Sequence, residues 1–220
     1  MEKYCVLFAM EEEAKAFISN INAKLVEEKP FKIYCSNNIY IAISNVGLIN
    51  ASTCFTYVNQ KYDFNYYINA GLSGCVGLVL NQLDVVLVNK SYLGNVDATG
   101  FGYKLGQVPK MQEYYLSDKN LNEKLNKNFK YANICSSDVF INSQKLFDQI
   151  IFKIDKSIEI FDMECGAFFQ AAYIFKKPII SLKVISDKIG SKTNEEQFRQ
   201  ILSKGSEIIS KTLSVFLERI

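Results

Sequence analysis

Tyr4-Cys5-Val6-Leu7-Phe8-Ala9-Met10-Glu11-Glu12-Glu13 joins an unbroken apolar run to three consecutive acids. A short run that is apolar at every position, rather than alternating, predicts a strand covered on both faces. Acids directly after it predict the first turn of a helix, where the positive end of the macrodipole favours them. The same junction recurs along the chain. Further short apolar runs occupy Phe31–Cys35, Ile39–Ser44, Tyr66–Ala70, Val85–Asn89, Ile134–Ser136, Ile158–Phe161 and Pro178–Ser186. Between them Leu48, Ala51, Phe55 and Val58 recur at helical spacing, and Met163–Phe175 is a strongly apolar helical stretch. This alternation predicts an α/β fold with a central mixed β-sheet flanked by helices.

Near the end, Thr193 and Glu196 form a capping box before Phe198, Ile201, Leu202, Ile208, Ile209 and Phe216, which predicts a last helix running close to residue 220. There is no repeat or low-complexity linker, and the three prolines are scattered singly, so residues 1–220 are expected to form one domain. Only Ser91–Tyr114, rich in Gly, Tyr and Asn, breaks the pattern. A loop of that length inside a compact domain is usually functional, so it is a candidate lid or interface arm.

Composition narrows the chemistry. None of the 220 residues is histidine, which excludes Ser-His-Asp triads, Cys-His pairs and histidine metal sites. The two arginines, Arg199 and Arg219, both lie near the C-terminus, so converging guanidinium forks for phosphate are hard to build. With 25 Lys+Arg against 23 Asp+Glu and no basic stripe, nucleic acid is a poor partner. Tyr4–Met10 is too short for a membrane span and lacks a cleavage-site pattern, so no membrane partner is expected. The six cysteines show no CxxC spacing and sit mostly in apolar runs, which points to reduced thiols and a cytoplasmic setting.

In an open α/β sheet, ligands bind beyond the carboxyl ends of strands. Four such endings carry polar groups. The first holds Glu11, Glu12 and Glu13, of which at most one or two can face a common pocket because successive helical residues point about 100° apart; the helix dipole alone explains the others. The second, Asn69-Ala70-Gly71-Leu72-Ser73-Gly74-Cys75, is read as a glycine-bearing turn where backbone approaches a ligand. The third is Asp162-Met163-Glu164, where Asp162 suits a helix cap and Glu164 needs a partner such as a sugar diol. The fourth places Asp187 after Ser186, as a proton donor over the sheet or a plain turn residue. Together they bring Glu13, Gly74, Glu164 and Asp187 towards one mouth.

These blocks, with Asp97-Ala98-Thr99-Gly100-Phe101-Gly102-Tyr103, Gly106-Gln107-Val108-Pro109 and Phe140-Ile141-Asn142, resemble the bacterial 5′-methylthioadenosine/S-adenosylhomocysteine nucleosidases of the nucleoside phosphorylase superfamily. The resemblance spans nearly the whole chain. It implies that Glu13 activates water, that Asp187 protonates adenine, and that Glu164 binds the ribose diol above Met163. It further implies Phe140 stacked on the base, the Ile141 backbone at its edge, Gly74 against the ligand, and Val46 and Phe198 around the 5′ substituent. Phe101 would reach the pocket of a partner subunit in a homodimer. The implied substrate is a small nucleoside cleaved without a cofactor or metal.

The chain departs from the family pattern at Leu72, where serine is common, and at Cys165, where glycine is usual. The competing activities are cleavage of another 5′-modified adenosine, such as aminofutalosine or 5′-deoxyadenosine, phosphorolysis, and silent nucleoside binding.

Overall fold

Each apolar run contributes a strand in the computed structural model, which describes residues 2–124, 129–190 and 194–217. The strands are β1 (Tyr4–Phe8), β2 (Lys24–Glu27), β3 (Lys32–Ser36), β4 (Ile39–Ile43), β5 (Tyr66–Cys75), β6 (Val85–Leu93), β7 (Tyr115–Leu116), β8 (Lys130–Ser136), β9 (Ile158–Asp162) and β10 (Ile179–Lys188). The helices are α1 (Glu11–Asn20), α2 (Leu48–Tyr62), α3 (Lys119–Lys124), α4 (Gln144–Ile150), α5 (Cys165–Phe175) and α6 (Asn194–Leu217).

The strands form one mixed sheet in the order β10-β6-β8-β9-β5-β1-β4-β3-β2, with β7 on β6. Because β10 also pairs with β5, the strands β10, β6, β8, β9 and β5 close into a ring, and β1, β4, β3 and β2 extend from it as an arm. Helices cover both faces. Along β1, Val6 and Phe8 pack with Ala14 and Phe17 of α1 and Ile201 and Ile209 of α6. Cys5 and Leu7 point the other way, towards Ala51, Phe55 and Val58 of α2 and Phe168 and Phe169 of α5. Successive strand residues face opposite sides, so a run buried on both must be apolar throughout, as the opening stretch is.

Three sequence expectations are corrected. Asn69–Cys75 is not a turn: it is the second half of β5. Its first half pairs with β1 over Tyr66–Asn69; Gly74 and Cys75 then pair with Phe161 and Ile160 of β9, so the glycines mark where the strand exchanges β1 for β9 while β10 stays paired along its other edge. Asp187 lies inside β10, just past a register shift between Ile185 and Asp187, and not after its end. The irregular segment is Gly94–Tyr114, because Ser91–Leu93 still belongs to β6; it contains one 3-10 turn over Thr99–Phe101. The strands β2 and β7 had no apolar signature, the first being largely exposed at the end of the arm and the second only two residues long. The Thr193 cap and the Glu196 side chain lie outside the described residues.

All six cysteines are free thiols. Among the described residues, no helix is long and apolar enough to cross a membrane.

Candidate active site

One cavity of about 230 Å³ opens where β1, β5, β9 and β10 end, and four carboxylates line it: Glu13, Asp162, Glu164 and Asp187. Val46, Gly74, Phe140, Ile141, Met163 and Phe198 supply the rest of the wall that the sequence singled out, together with Leu72 and Phe161. Phe101 does not line it; this side chain is 87% exposed on the 3-10 turn. A larger open groove of about 1050 Å³ runs between Gln107–Leu116 and the C-terminal end of α5, and it holds none of these four carboxylates. Volume alone is therefore a poor guide here; the smaller cavity is where ionisable groups converge.

The three acids of α1 divide as helical geometry requires. Glu11 turns outward to Lys32 and the Tyr34 hydroxyl, Glu12 is exposed, and Glu13 is buried against the cavity. The Glu13 carboxylate is held at both oxygens: Oε1 accepts the Leu72 N–H at 2.8 Å, and Oε2 accepts the Met10 N–H at 3.2 Å. Burial pushes its pKa up, against the Leu72 N–H, Lys183 and the Met10 N–H, which favour the charged form.

Glu164 sits where β9 passes into α5. Its Oε1 accepts the Gly47 N–H at 2.9 Å, from the residue preceding α2. Gly47 has φ +107°, a backbone state that suits glycine, and this is what aims its N–H at the carboxylate. Burial, then neighbouring Asp162, drives the Glu164 pKa up to about 8 despite Gly47 and Lys183.

Asp187 is 2% exposed, and its Oδ1 accepts the Ser186 hydroxyl at 2.6 Å. Across from it, a Cβ on Gly74 would overlap the Phe161 ring and stand 3.1 Å from Asp187 Oδ2. Glycine here keeps both the aromatic wall and the acid in place.

Asp162 serves structure. Its Oδ1 accepts the Ser136 hydroxyl at 2.5 Å and, with Oδ2, the backbone N–H of Cys165, so the capping reading of this residue fits. Its Oδ2 also pairs with Lys183 Nζ at 2.8 Å, both side chains being almost wholly buried. Burial opposes charge on Lys183, but Asp162 beside it outweighs that and holds its pKa above the ordinary lysine value. Sequence reasoning missed Lys183, although a signal was present. A lysine inside the longest apolar run must find a carboxylate, and Asp162 and Glu164 were the available ones.

The two departures from the family pattern have plain consequences. Leu72 contributes its backbone N–H to Glu13 and its side chain to the cavity wall, while the Ser73 hydroxyl is used on the Phe161 carbonyl at 2.9 Å. Cys165 is fully buried beside Ser91 Oγ, on the side of the sheet covered by α5.

The carboxyls of such a cavity can protonate a leaving group and activate water, and among the described residues no cationic side chain lines it to hold phosphate. Comparison with known proteins bears on that chemistry. A family model described as the phosphorylase superfamily matches residues 3–218. The 5′-methylthioadenosine/S-adenosylhomocysteine nucleosidase of Staphylococcus haemolyticus is 30% identical over 96% of this chain and 98% of its own. The chain belongs to the nucleosidases of the phosphorylase superfamily. The nucleosidase of the same name from Staphylococcus epidermidis is 28% identical, over 97% of this chain and 98% of its own. Among solved structures, the S-adenosylhomocysteine nucleosidase of Streptococcus pyogenes, in complex with 5-methylthiotubericidin, superposes with a TM-score of 0.91 at 25% identity. That match covers 100% of this chain and 97% of the other. This nucleosidase therefore shares its overall fold with a solved nucleosidase matched along nearly its full length.

Proposed function

We propose that the chain hydrolyses the N-glycosidic bond of 5′-methylthioadenosine and S-adenosylhomocysteine, and of 5′-deoxyadenosine, releasing adenine and the 5′-substituted ribose. The observation that carries this reading is the cavity itself, lined by Glu13 of α1 and Asp187 of β10 and, among the described residues, by no cation. Lys183, the buried cation behind it, is already engaged by Asp162.

In this reading the base leaves as its ring nitrogen takes a proton from Asp187, and the sugar develops oxocarbenium character. Glu13, held by two backbone N–H groups, takes a proton from the attacking water. Glu164 commits Oε1 to Gly47 and turns Oε2 to the ribose diol, over Met163. Phe140 stacks on the adenine and the Ile141 backbone meets its edge, while Gly74 lies flat against the nucleoside. Val46 and Phe198 bound the 5′ substituent, which is apolar in the methylthio substrate. The carboxylates suffice for proton traffic, so the reading needs neither a cofactor nor a metal.

The working form in this reading is a cytoplasmic homodimer in which Phe101 of one subunit covers the 5′ end of the other's pocket. The 87% exposure of that phenylalanine on an isolated subunit supports it.

The test is adenine release from 5′-methylthioadenosine in phosphate-free buffer, with and without phosphate restored. Release without phosphate, giving methylthioribose, is the expected result. A strict phosphate requirement, or no release from any of the three substrates, overturns the proposal.

A further inference from the structure

Helix α6 bears on Glu13 in two ways, through its main chain and through Leu72, the residue that holds its carboxylate. Ser206 is 3% exposed in the seam between α6 and α1. Its hydroxyl donates to the Glu13 carbonyl at 2.8 Å and accepts the Ala16 N–H at 3.1 Å, so it is stitched into the helix that carries the acid. The preceding residue, Gly205, lies against Leu72. A Cβ there would stand 2.5 Å from Leu72 Cδ2. Leu72 is the residue whose N–H fixes Glu13 Oε1. Adjacent positions on one helix thus hold the main chain of Glu13 and seat the strand segment that orients its side chain.

We propose that Gly205 and Ser206 form a positioning site for Glu13: they set where its carboxylate stands and keep its backbone N–H donors in register, without touching substrate. The neighbouring charges of α6, Lys204 and Glu207, are exposed. The charged groups that face Glu13 come from other elements: Asp162 of β9, Lys183 of β10, and Glu164 before α5. A small displacement matters because catalytic geometry is steep, with about 1 Å of misplacement costing on the order of 100-fold in rate.

The role assigned to Glu13 rests on the hydrolase reading, but its positioning can be measured independently of turnover. Backbone N–H donors favour the charged carboxylate. Loosening them must raise the pKa of Glu13. The experiment is a pH titration of the full chain, 13C-labelled at glutamate carboxyls, with E13Q identifying the Glu13 resonance. S206A removes the stitch, and G205A pushes on Leu72 from the other side. Each is expected to move the Glu13 titration to higher pH, while S210A, which alters another buried serine one turn further along α6, leaves it in place.

With 5′-methylthioadenosine, S206A is then expected to lower kcat about 10-fold, with KM changed less than about twofold. An unshifted Glu13 titration in both S206A and G205A overturns the positioning site, and an equal shift in S210A does so too. A wild-type protein that releases no adenine overturns the hydrolase reading instead, and the titration still decides the positioning site.

Discussion

Asp187 and Glu13 line one cavity and carry different tasks in the proposed reaction, and single-atom changes separate them. Asp187→Asn keeps the shape and removes the transferable proton, so adenine release is expected to fall at least about 100-fold; near wild-type release in a stopped assay refutes its role as the acid. Glu13→Gln is expected to lose turnover to a similar extent while still binding adenine nucleosides. Calorimetric titration alongside the rate assay reads both quantities, and retained turnover removes Glu13 from the mechanism. At this scale the sequence was informative about residue types and silent about partners. Glu13 could be singled out from Glu11 and Glu12 only by family resemblance, since nothing local says that Lys32 and Tyr34 draw Glu11 outward. Lys183 went unnoticed because its partner, Asp162, is 21 positions away.

Among the elements, β5 is the most telling. Its glycines suggested a turn, because from sequence alone a bend and a turn share the same residues. What distinguishes them is tertiary: β9 and β10 are there to pair with the second half of the strand. The strict requirement at Gly74 follows from the Phe161 ring and Asp187 on either side of its missing side chain. Gly74→Ala is expected to destabilise the fold by about 1–3 kcal/mol, as overpacked sites do, and to impair turnover by displacing those two groups. Thermal melts and rates measured on the same preparation test this; an alanine variant with unchanged melting and unchanged rate contradicts the close approach. The helices were easier to read, since α2 and α5 bury broad apolar faces over many residues, whereas the exposed four-residue β2 offered no periodicity to detect.

Across the whole molecule, burial of carboxyls links stability to pH. A carboxyl whose folded pKa exceeds its unfolded value binds extra proton in the native state between the two, so stability falls as pH rises through that window. Glu164, moved from 4.5 to about 8, places the window there, and Glu13 is shifted in the same direction. Glu11, Glu27 and Asp84 are shifted downward, so the stability they add is lost only at more acidic pH. The ligand-free protein is therefore expected to melt at lower temperature at pH 8.5 than at pH 6, with Glu164→Gln flattening part of that slope. A melting temperature that rises over this interval contradicts it. Phe101→Ala addresses the assembly: it is expected to raise KM for 5′-methylthioadenosine more than for adenosine, and equal effects on both substrates argue against a partner-covered 5′ end.

Closing five strands into a ring leaves few backbone groups open to a foreign strand. Beyond the ring, the arm ends at β2, whose Leu25 and Val26 are 47% and 53% exposed. A register irregularity between Leu25 and Glu27, with the exposed Lys24 at the strand's start, makes this rim a poor template for another copy. The sheet thereby guards itself against edge-to-edge fibril growth, and the guard rests on one bulge and one lysine.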